Sequence, residues 1–535
     1  MHSFRHAAFV SVLALHSLAA DVYGNDVDTT TAAVAAPTHH FVDGETVVSP
    51  TLLLKVPAAR LRMPVDMDAT ARAAPALPFR IAPFRPTVPL SEYLAAKAAP
   101  RRSVRDSRPE ILAPVGPQAA TLQQFEGTSQ TAGFPPDTHG AVGLSHFVEV
   151  TNSTIDIYLK TTGALARRRS LASLFGYFSA TLFDPRAIYD RTWNRWVITA
   201  EAFPESASVQ RFFIAVSQTR DPLGAYFIFS INATTVAGSN NFFDFPQLGM
   251  DQDSIIITGN IFGPSTFLGW RMFAIAKARL YNGLSFATRV FRGSVSDATL
   301  APPIVLDQNA KTFLIAAPVS GSALKLYALR ESSRTTGATL TGPINVPVPT
   351  YTPPPPAPQC GGAGGAAELD TSDARFVNAS TQNGNFLWNV HSIDFGGAAV
   401  RWYRINTSTN TVNKTATFSA SATSADFNAS IAANDAGDIA LTWTSTSATV
   451  CPQVRVAGQS AAAPPGTGAT GLALFTSLTR ITGNLDPDLG LQRWGDYSAV
   501  SIDPSISSVK SAWVVNEKVN STAAWGSRIG RISLP

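Results

Sequence analysis

Residues 187–203 read AIYDRTWNRWVITAEAF: an apolar Ala187-Ile188-Tyr189, a turn centred on Asp190, then a strand with Trp196 and Ile198 inside it. A short run of β-branched and aromatic residues bounded by Asp and Asn reads as half of a β-hairpin. The unit returns. It recurs as QLGMDQDSIIITGNIF around Asp251, IVLDQNAKTFLIAAPV around Asp307, FVNASTQNGNFLWNVHSI around Asn378, SIAANDAGDIALTWTS around Asp435 and VSIDPSISSVKSAWVVNE around Asp503, at spacings of 61, 56, 71, 57 and 68 residues. Each hairpin is usually followed by another apolar strand, such as FFIAVSQT, MFAIAKA, LKLYAL or VRWYRI. That is the pattern of a four-stranded propeller blade with generous loops. Six units and the opening segment HFVEVTNSTIDIYLKTTG predict an all-β, β-propeller-like domain of about seven blades over residues 121–535. The uneven spacing also suits a solenoid or a double sandwich. The last apolar strand, SRIGRISLP, is placed to complete a blade begun by the N-terminal segment.

The 535 residues are only 15% charged, with 41 Lys and Arg against 37 Asp and Glu. A balanced domain offers no concentrated basic face, so nucleic acid is not an expected partner. Residues 1–20 carry a basic start, the apolar run AAFVSVLAL and a small-residue end, which together read as a secretory signal. No later apolar run approaches the ~18 residues of a bilayer span, so the chain is read as secreted, extracellular or periplasmic, and not membrane-spanning. Residues 21–120, rich in Ala and Pro, lack sustained periodicity and predict a disordered leader or propeptide, with one short helix near residues 91–99. Arg101-Arg102 within it suits a processing site. The stretch from Pro343 to Gly365 predicts a flexible loop. Cys360 and Cys451, the only cysteines, are expected to form a disulfide in an oxidising compartment.

Two segments concentrate polar chemistry. Gly133-Phe-Pro-Pro-Asp137-Thr-His139-Gly140 forms a rigid turn able to aim a carboxylate and an imidazole inward, or simply an Asx turn. Arg493-Trp494-Gly495-Asp496-Tyr497-Ser498, with Glu517 and Arg528 downstream, sets charges beside aromatics. A sugar-binding surface uses such groups, and a buried Arg–Asp lock uses the same ones. Asp251 and Asp253 place hard oxygens at alternate positions and are the candidates for a structural calcium; no cofactor is otherwise required. No Gly-x-Ser-x-Gly elbow and no phosphate-binding P-loop occurs. The Ser-x-Asp-x-Gly-x-Thr-Trp turn of sialidases is absent too.

The strings PPDTHGAVG (135–143), DPRAIYD (184–190) with Arg195-Trp196, AVSQTRDP (215–222), DFPQLG (244–249), RWGDYS (493–498) and WGSR (525–528) resemble a group of large secreted bacterial proteins. That resemblance covers residues 120–535 and implies a propeller-like fold and export; it assigns no reaction or ligand. The sequence is therefore read as a binding or adhesion module for extracellular glycans or protein surfaces. In that reading Arg186, Trp494, Tyr497, Glu517 and Arg528 are its contact residues. The alternative is a carbohydrate-active enzyme, hydrolase or lyase, with an axial site drawn from Asp137, His139, Asp190, Arg493 and Asp496.

Overall fold

The computed structural model describes residues 46–62, 85–98, 119–130, 133–362, 364–467, 470–505 and 510–535. The signal segment, the dibasic pair and much of the leader lie outside these residues. Seven inner strands stand around one axis: His139–Val142, Leu182–Asp190, Phe242–Met250, Pro303–Val305, Ser380–Asn383, Ala425–Ala433 and Ala499–Ile502. Each touches the next, and the seventh touches the first. In six of the seven, three further strands behind the inner strand complete an antiparallel blade; in blade 4, Pro303–Val305 pairs parallel with Met250 and with Ser380–Gln382, and the strands behind it join through the Ala301–Ile315 bridge. The fold is a seven-bladed β-propeller. Ring closure is made by both ends of the domain, because Thr121–Ser129 pairs antiparallel with Ala524–Ser533 as the outermost strand of blade 7. The two ends share a blade as expected, but with roles reversed: the N-terminal strand completes a blade built from the C-terminal strands.

Local chemistry explains the repeat. Asp190 Oδ1 accepts the amides of Thr192 and Trp193 at 2.9 and 3.1 Å, and Asp251 Oδ1 those of Asp253 and Ser254 at 2.9 and 2.7 Å. These Asx turns fold each inner strand back into its neighbour. In blade 6 the cap is Asn434, not Asp435. In blade 5 the turn is at Asn383-Gly384, so Asn378 lies ahead of its strand rather than in the hairpin. The interior strands are apolar on both faces because each blade is covered on both sides. Every residue of Ser254–Phe262 is buried, and Ile255 and Ile257 pack with Val197 and Ile214 of blade 2.

Two expectations need correction. The leader holds the short helix expected of it, Leu90–Ala98, but is not otherwise unfolded throughout: Val47–Val48, Pro50–Val56 and Arg60–Arg62 add edge strands to blades 4, 3 and 2. Outer strands present unpaired amides and carbonyls, and these short segments satisfy them. Residues 343–351 are likewise not a loop but part of the strand Thr339–Tyr351. Val47–Val48 pairs only up to Thr341, ahead of Pro343, so the prolines fall where an edge strand needs no donor.

Cys360 and Cys451 form the expected disulfide, 91 residues apart in sequence. Among the described residues no helix is long and apolar enough to cross a membrane. The bridge ties the segment before blade 5 to a loop of blade 6. Replacing both cysteines by serine is expected to lower stability by up to about 4 kcal/mol, the chain-entropy value for a loop of this size. Urea unfolding followed by tryptophan fluorescence measures it, and an unchanged midpoint would show that folding alone fixes this loop.

Candidate active site

The inner strands all enter the ring from the same end, and the residues at their entrances form one polar mouth. Asp137 and Asp184 there adopt left-handed backbone, φ 48° at each, as do Phe245 and Asn428 at 56° and 51°. Side-chain-bearing residues tolerate that region poorly, and a cluster of them marks a place where the surrounding structure dictates the backbone. What dictates it is hydrogen bonding between blades. Asp137 Oδ1 accepts the amide of Asp496 at 2.7 Å and Oδ2 the side-chain amide of Asn152 at 2.5 Å, while Asn152 Oδ1 accepts the amide of Asp184 at 2.8 Å. Blades 7, 1 and 2 are thereby stitched together.

Arg493 sits fully buried between two carboxylates, 3.2 Å from Asp370 Oδ2 and 3.3 Å from Asp496 Oδ2. Glu517 Oε2 accepts the amide of Gly495 at 2.6 Å. A Cβ at Gly495 would stand 3.0 Å from that oxygen, so glycine is what allows the approach. Arg186 reaches across the axis, donating to Pro246 O at 2.9 Å, Asn378 Oδ1 at 2.8 Å and Val377 O at 3.0 Å. Its guanidinium stacks 3.4 Å from the ring centre of Tyr497, whose hydroxyl donates to Asp184. Asn378 continues the belt to Ser430 and Ser430 to Ser498, at 2.6 and 2.7 Å.

Burial pushes the carboxyls of this mouth up: Asp496 to about 7 against the pull of Arg493, Asp244 to about 6, and Asp137, Asp184 and Glu517 also upward. Asp370 goes the other way. Burial would raise it, but Lys97 and Arg493 together hold it below the ordinary carboxylate range. Lys97 belongs to the leader helix, which lies over this end of the ring. Its Nζ is 3.3 Å from Asp370 Oδ1 and donates to Thr371 Oγ1 at 2.7 Å, and the hydroxyl of Tyr93 donates to Asp370 at 3.3 Å. Arg85, also from the leader, lies 3.7 Å from Asp244. A cavity of about 10 Å³, room for one water, remains beside Asp370, Arg375, Asn428 and Asp496.

The structure thus brings Asp137, Arg493, Asp496, Arg186, Tyr497 and Glu517 together and separates the rest. His139 faces the axial channel, a cavity of about 110 Å³, and its Nδ1 accepts the amide of Ala187 at 3.3 Å. Burial and the charge of Arg186 hold its imidazole neutral. Asp190 stands at the far end of the strand from Asp184, about 20 Å away at ~3.3 Å per residue, and there pairs with Lys277 and Tyr281, each at 2.7 Å. It is structural. Trp494 is not on a surface: it is 2% exposed, packs on Phe427, and donates to Thr444 at 3.1 Å. Arg528 lies on the outer edge of blade 7, paired with Glu126. Asp251 is committed to its turn and to the hydroxyl of Thr312 at 2.9 Å, and Asp253 is exposed.

Sequence reasoning passed over Glu201, Asp370 and the grouping of Asp184 with Asp244. A signal existed: an Asp or Asn precedes the turn residue by six or seven positions in Asp184–Asp190, Asp244–Asp251, Asn428–Asn434 and Asp496–Asp503. It marks the mouth.

No protein-family model and no curated protein matches this chain. Among solved structures it is similar to an exo-β-1,3-galactanase from Phanerochaete chrysosporium, at 12% identity and a TM-score of 0.30 over 60% of this chain and 80% of that one. A subtype N10 neuraminidase-like protein of A/little yellow-shouldered bat/Guatemala/060/2010 aligns at 8% identity and 0.33, covering 64% and 99%. A protein of unknown function from Dyadobacter fermentans aligns at 9% and 0.37, covering 66% and 94%. The architecture therefore rests on the strand pairing described above.

The shifted carboxyls set a pH dependence of stability. Asp496 and Glu149, the latter a buried carboxyl of blade 1 beside Asp156, are each raised to about 7 and bind protons more tightly folded than unfolded. Their contribution is complete below about pH 4 and is lost as pH rises through their folded values. Asp370, Asp438 and Asp503, held low, contribute above about pH 4 and fail below it. The melting temperature is expected to fall between about pH 5 and 7.5, and Asp496→Asn to flatten that fall. A rising profile over the same range contradicts the assignment.

Proposed function

We propose that the protein is a secreted glycan-directed enzyme that cleaves glycosidic bonds at the mouth of its propeller. One observation carries the reading: Asp370 and Asp496 grip the same guanidinium, 3.2 and 3.3 Å away, yet one is held ionised and the other is raised to about 7. Two carboxyls whose environments drive their protonation apart are an acid and its ionised partner, and glycosidic cleavage uses that pair. In this assignment Asp496 donates a proton to the leaving oxygen as its bond to the anomeric carbon breaks, and a water adds to that carbon and returns a proton to the Asp496 carboxylate. Asp370 supplies the negative charge opposite the developing oxocarbenium ion. Arg493 fixes the distance between them, and Glu517 positions Asp496 through the Gly495 amide.

The reading as a binding or adhesion surface is weakened at three of the five residues that suggested it. Trp494 and Tyr497 are buried and Arg528 is paired away from the mouth. Substrate must displace the leader helix, since Tyr93 and Lys97 occupy Asp370; with Lys97 withdrawn, Arg493 is the cation left to hold Asp370 ionised.

The test uses the full chain and a Tyr93→Ala, Lys97→Ala variant that loosens the helix, on a panel of neutral and acidic polysaccharides, with reducing ends as the readout. The loosened chain is expected to release more product than the full one. Asp496→Asn is expected to lower the rate by roughly 10²–10⁴-fold, the range for losing a general acid, without loss of folded structure. The rate should decline above about pH 7 as Asp496 loses its proton. Binding of a polysaccharide with no cleavage by either chain would return the protein to the adhesion reading.

A further inference from the structure

The acid pair of the proposed reaction makes no use of a second carboxylate group in the same mouth. Asp184 and Glu201 of blade 2 and Asp244 of blade 3 each offer one oxygen, and the three lie within 4.8 Å of one another. Oxygens on opposite sides of a calcium ion, bound at 2.3–2.6 Å, are at most about 5 Å apart, so the trio fits around a single ion. All three are buried, at 3%, 0% and 7% exposure.

The surrounding cations leave this charge largely uncompensated. Arg186, two residues from Asp184, directs its guanidinium to two main-chain carbonyls and Asn378. Arg85 reaches only Asp244, at 3.7 Å, with its own side chain 37% exposed.

Glu201 adds an independent sign. The side-chain amide of Gln210 donates to its Oε2 at 3.2 Å and to Phe243 O at 2.6 Å, which anchors the carboxylate between the two blades. Oε1 is buried with no well-formed hydrogen bond, the polar groups next to this carboxyl being the Asp244 carboxyl and the Phe245 amide. Buried polar atoms are almost always satisfied, and an orphan carboxylate oxygen inside a group of carboxylates calls for a proton or an ion. Gln247, three residues beyond Asp244 across a bulge in the strand, is also buried with neither amide atom satisfied.

We propose that Asp184, Glu201 and Asp244 bind one calcium ion that ties blade 2 to blade 3 at the axial mouth. The donor set is hard and all oxygen, and its enclosure suits calcium better than magnesium, which keeps several waters. Through the hydroxyl of Tyr497, which donates to Asp184, the ion also steadies blade 7.

The experiment uses the full chain stripped with EDTA. Calorimetric titration with calcium chloride is expected to give one site per chain, and thermal melting a rise of several degrees over the same protein in EGTA. Glu201→Gln and Asp244→Asn should each weaken binding at least about tenfold, the loss that even an outer-shell partner brings. Asp253→Asn should leave it unchanged. Terbium anomalous scattering from crystals of the unsubstituted chain locates the ion without any variant. Absence of heat and of a melting shift with calcium, magnesium or manganese overturns the proposal. So does an ion found away from these three carboxylates, or affinity retained in both folded variants. Sugar release is read separately, so failure here leaves the glycosidic reading standing.

Discussion

The hydrogen bonds between Thr121–Ser129 and Ala524–Ser533 are the constraint on which the rest depends. A propeller blade cannot bury its own two faces; each needs a neighbour, and the last needs the first. Pairing the two ends of the domain in one sheet turns a row of hairpins into a ring. Only then does blade 7 stand beside blade 1, with the amide of Asp496 against Asp137 although 359 residues separate them. Closure also seals the interblade cores, such as the packing of Val142 and Phe147 on Trp513 and Ile529. The site is therefore a consequence of closure rather than of any local motif.

A ring whose inner strands enter from one end concentrates whatever residues precede them. Here those residues are acidic: the mouth holds Asp137, Asp184, Glu201, Asp244, Asp370, Asp373 and Glu517, all buried, and the partly buried Asp496. Among the described residues, the buried cations that the propeller sets beside them are Arg186, Arg375 and Arg493. Burying like charges together is unfavourable, and the relief available is protonation, a bound cation or an outside partner. Protonation accounts for the raised value at Asp496. The leader is the outside partner, bringing Lys97 to Asp370 and Arg85 to Asp244. Its helix thus caps the site by charge complementarity while its strands are held at the blade edges.

How much of this was legible follows from how local each interaction is. The Asp190 and Asp251 turns are made by side chains bonding amides two or three residues on, so their spacing exposed the blades. Arg493 and Asp496 are three residues apart and their pairing could be guessed. Glu201 could not be placed, because its neighbours Asp184 and Asp244 come from another strand and another blade. Trp494 and Tyr497, beside charges in the chain, read as surface groups. They are buried because blades 6 and 2 pack over them, a fact of assembly that no window of sequence contains. The edge strand Pro50–Val56 was hidden by the Ala- and Pro-rich segments around it.

The central claim is that closure creates a mouth in which Asp496 keeps its proton near neutrality while Asp370 does not. Carbon-13 NMR of chains labelled at the aspartate carboxyl, titrated from about pH 3 to pH 9, tests it most directly, with Asp496→Asn and Asp370→Asn supplying the assignments. The account predicts one carboxyl titrating near pH 7 that vanishes in Asp496→Asn, and a second, lost in Asp370→Asn, that stays ionised to below about pH 4. An Asp496 resonance titrating with the ordinary carboxyls would contradict it.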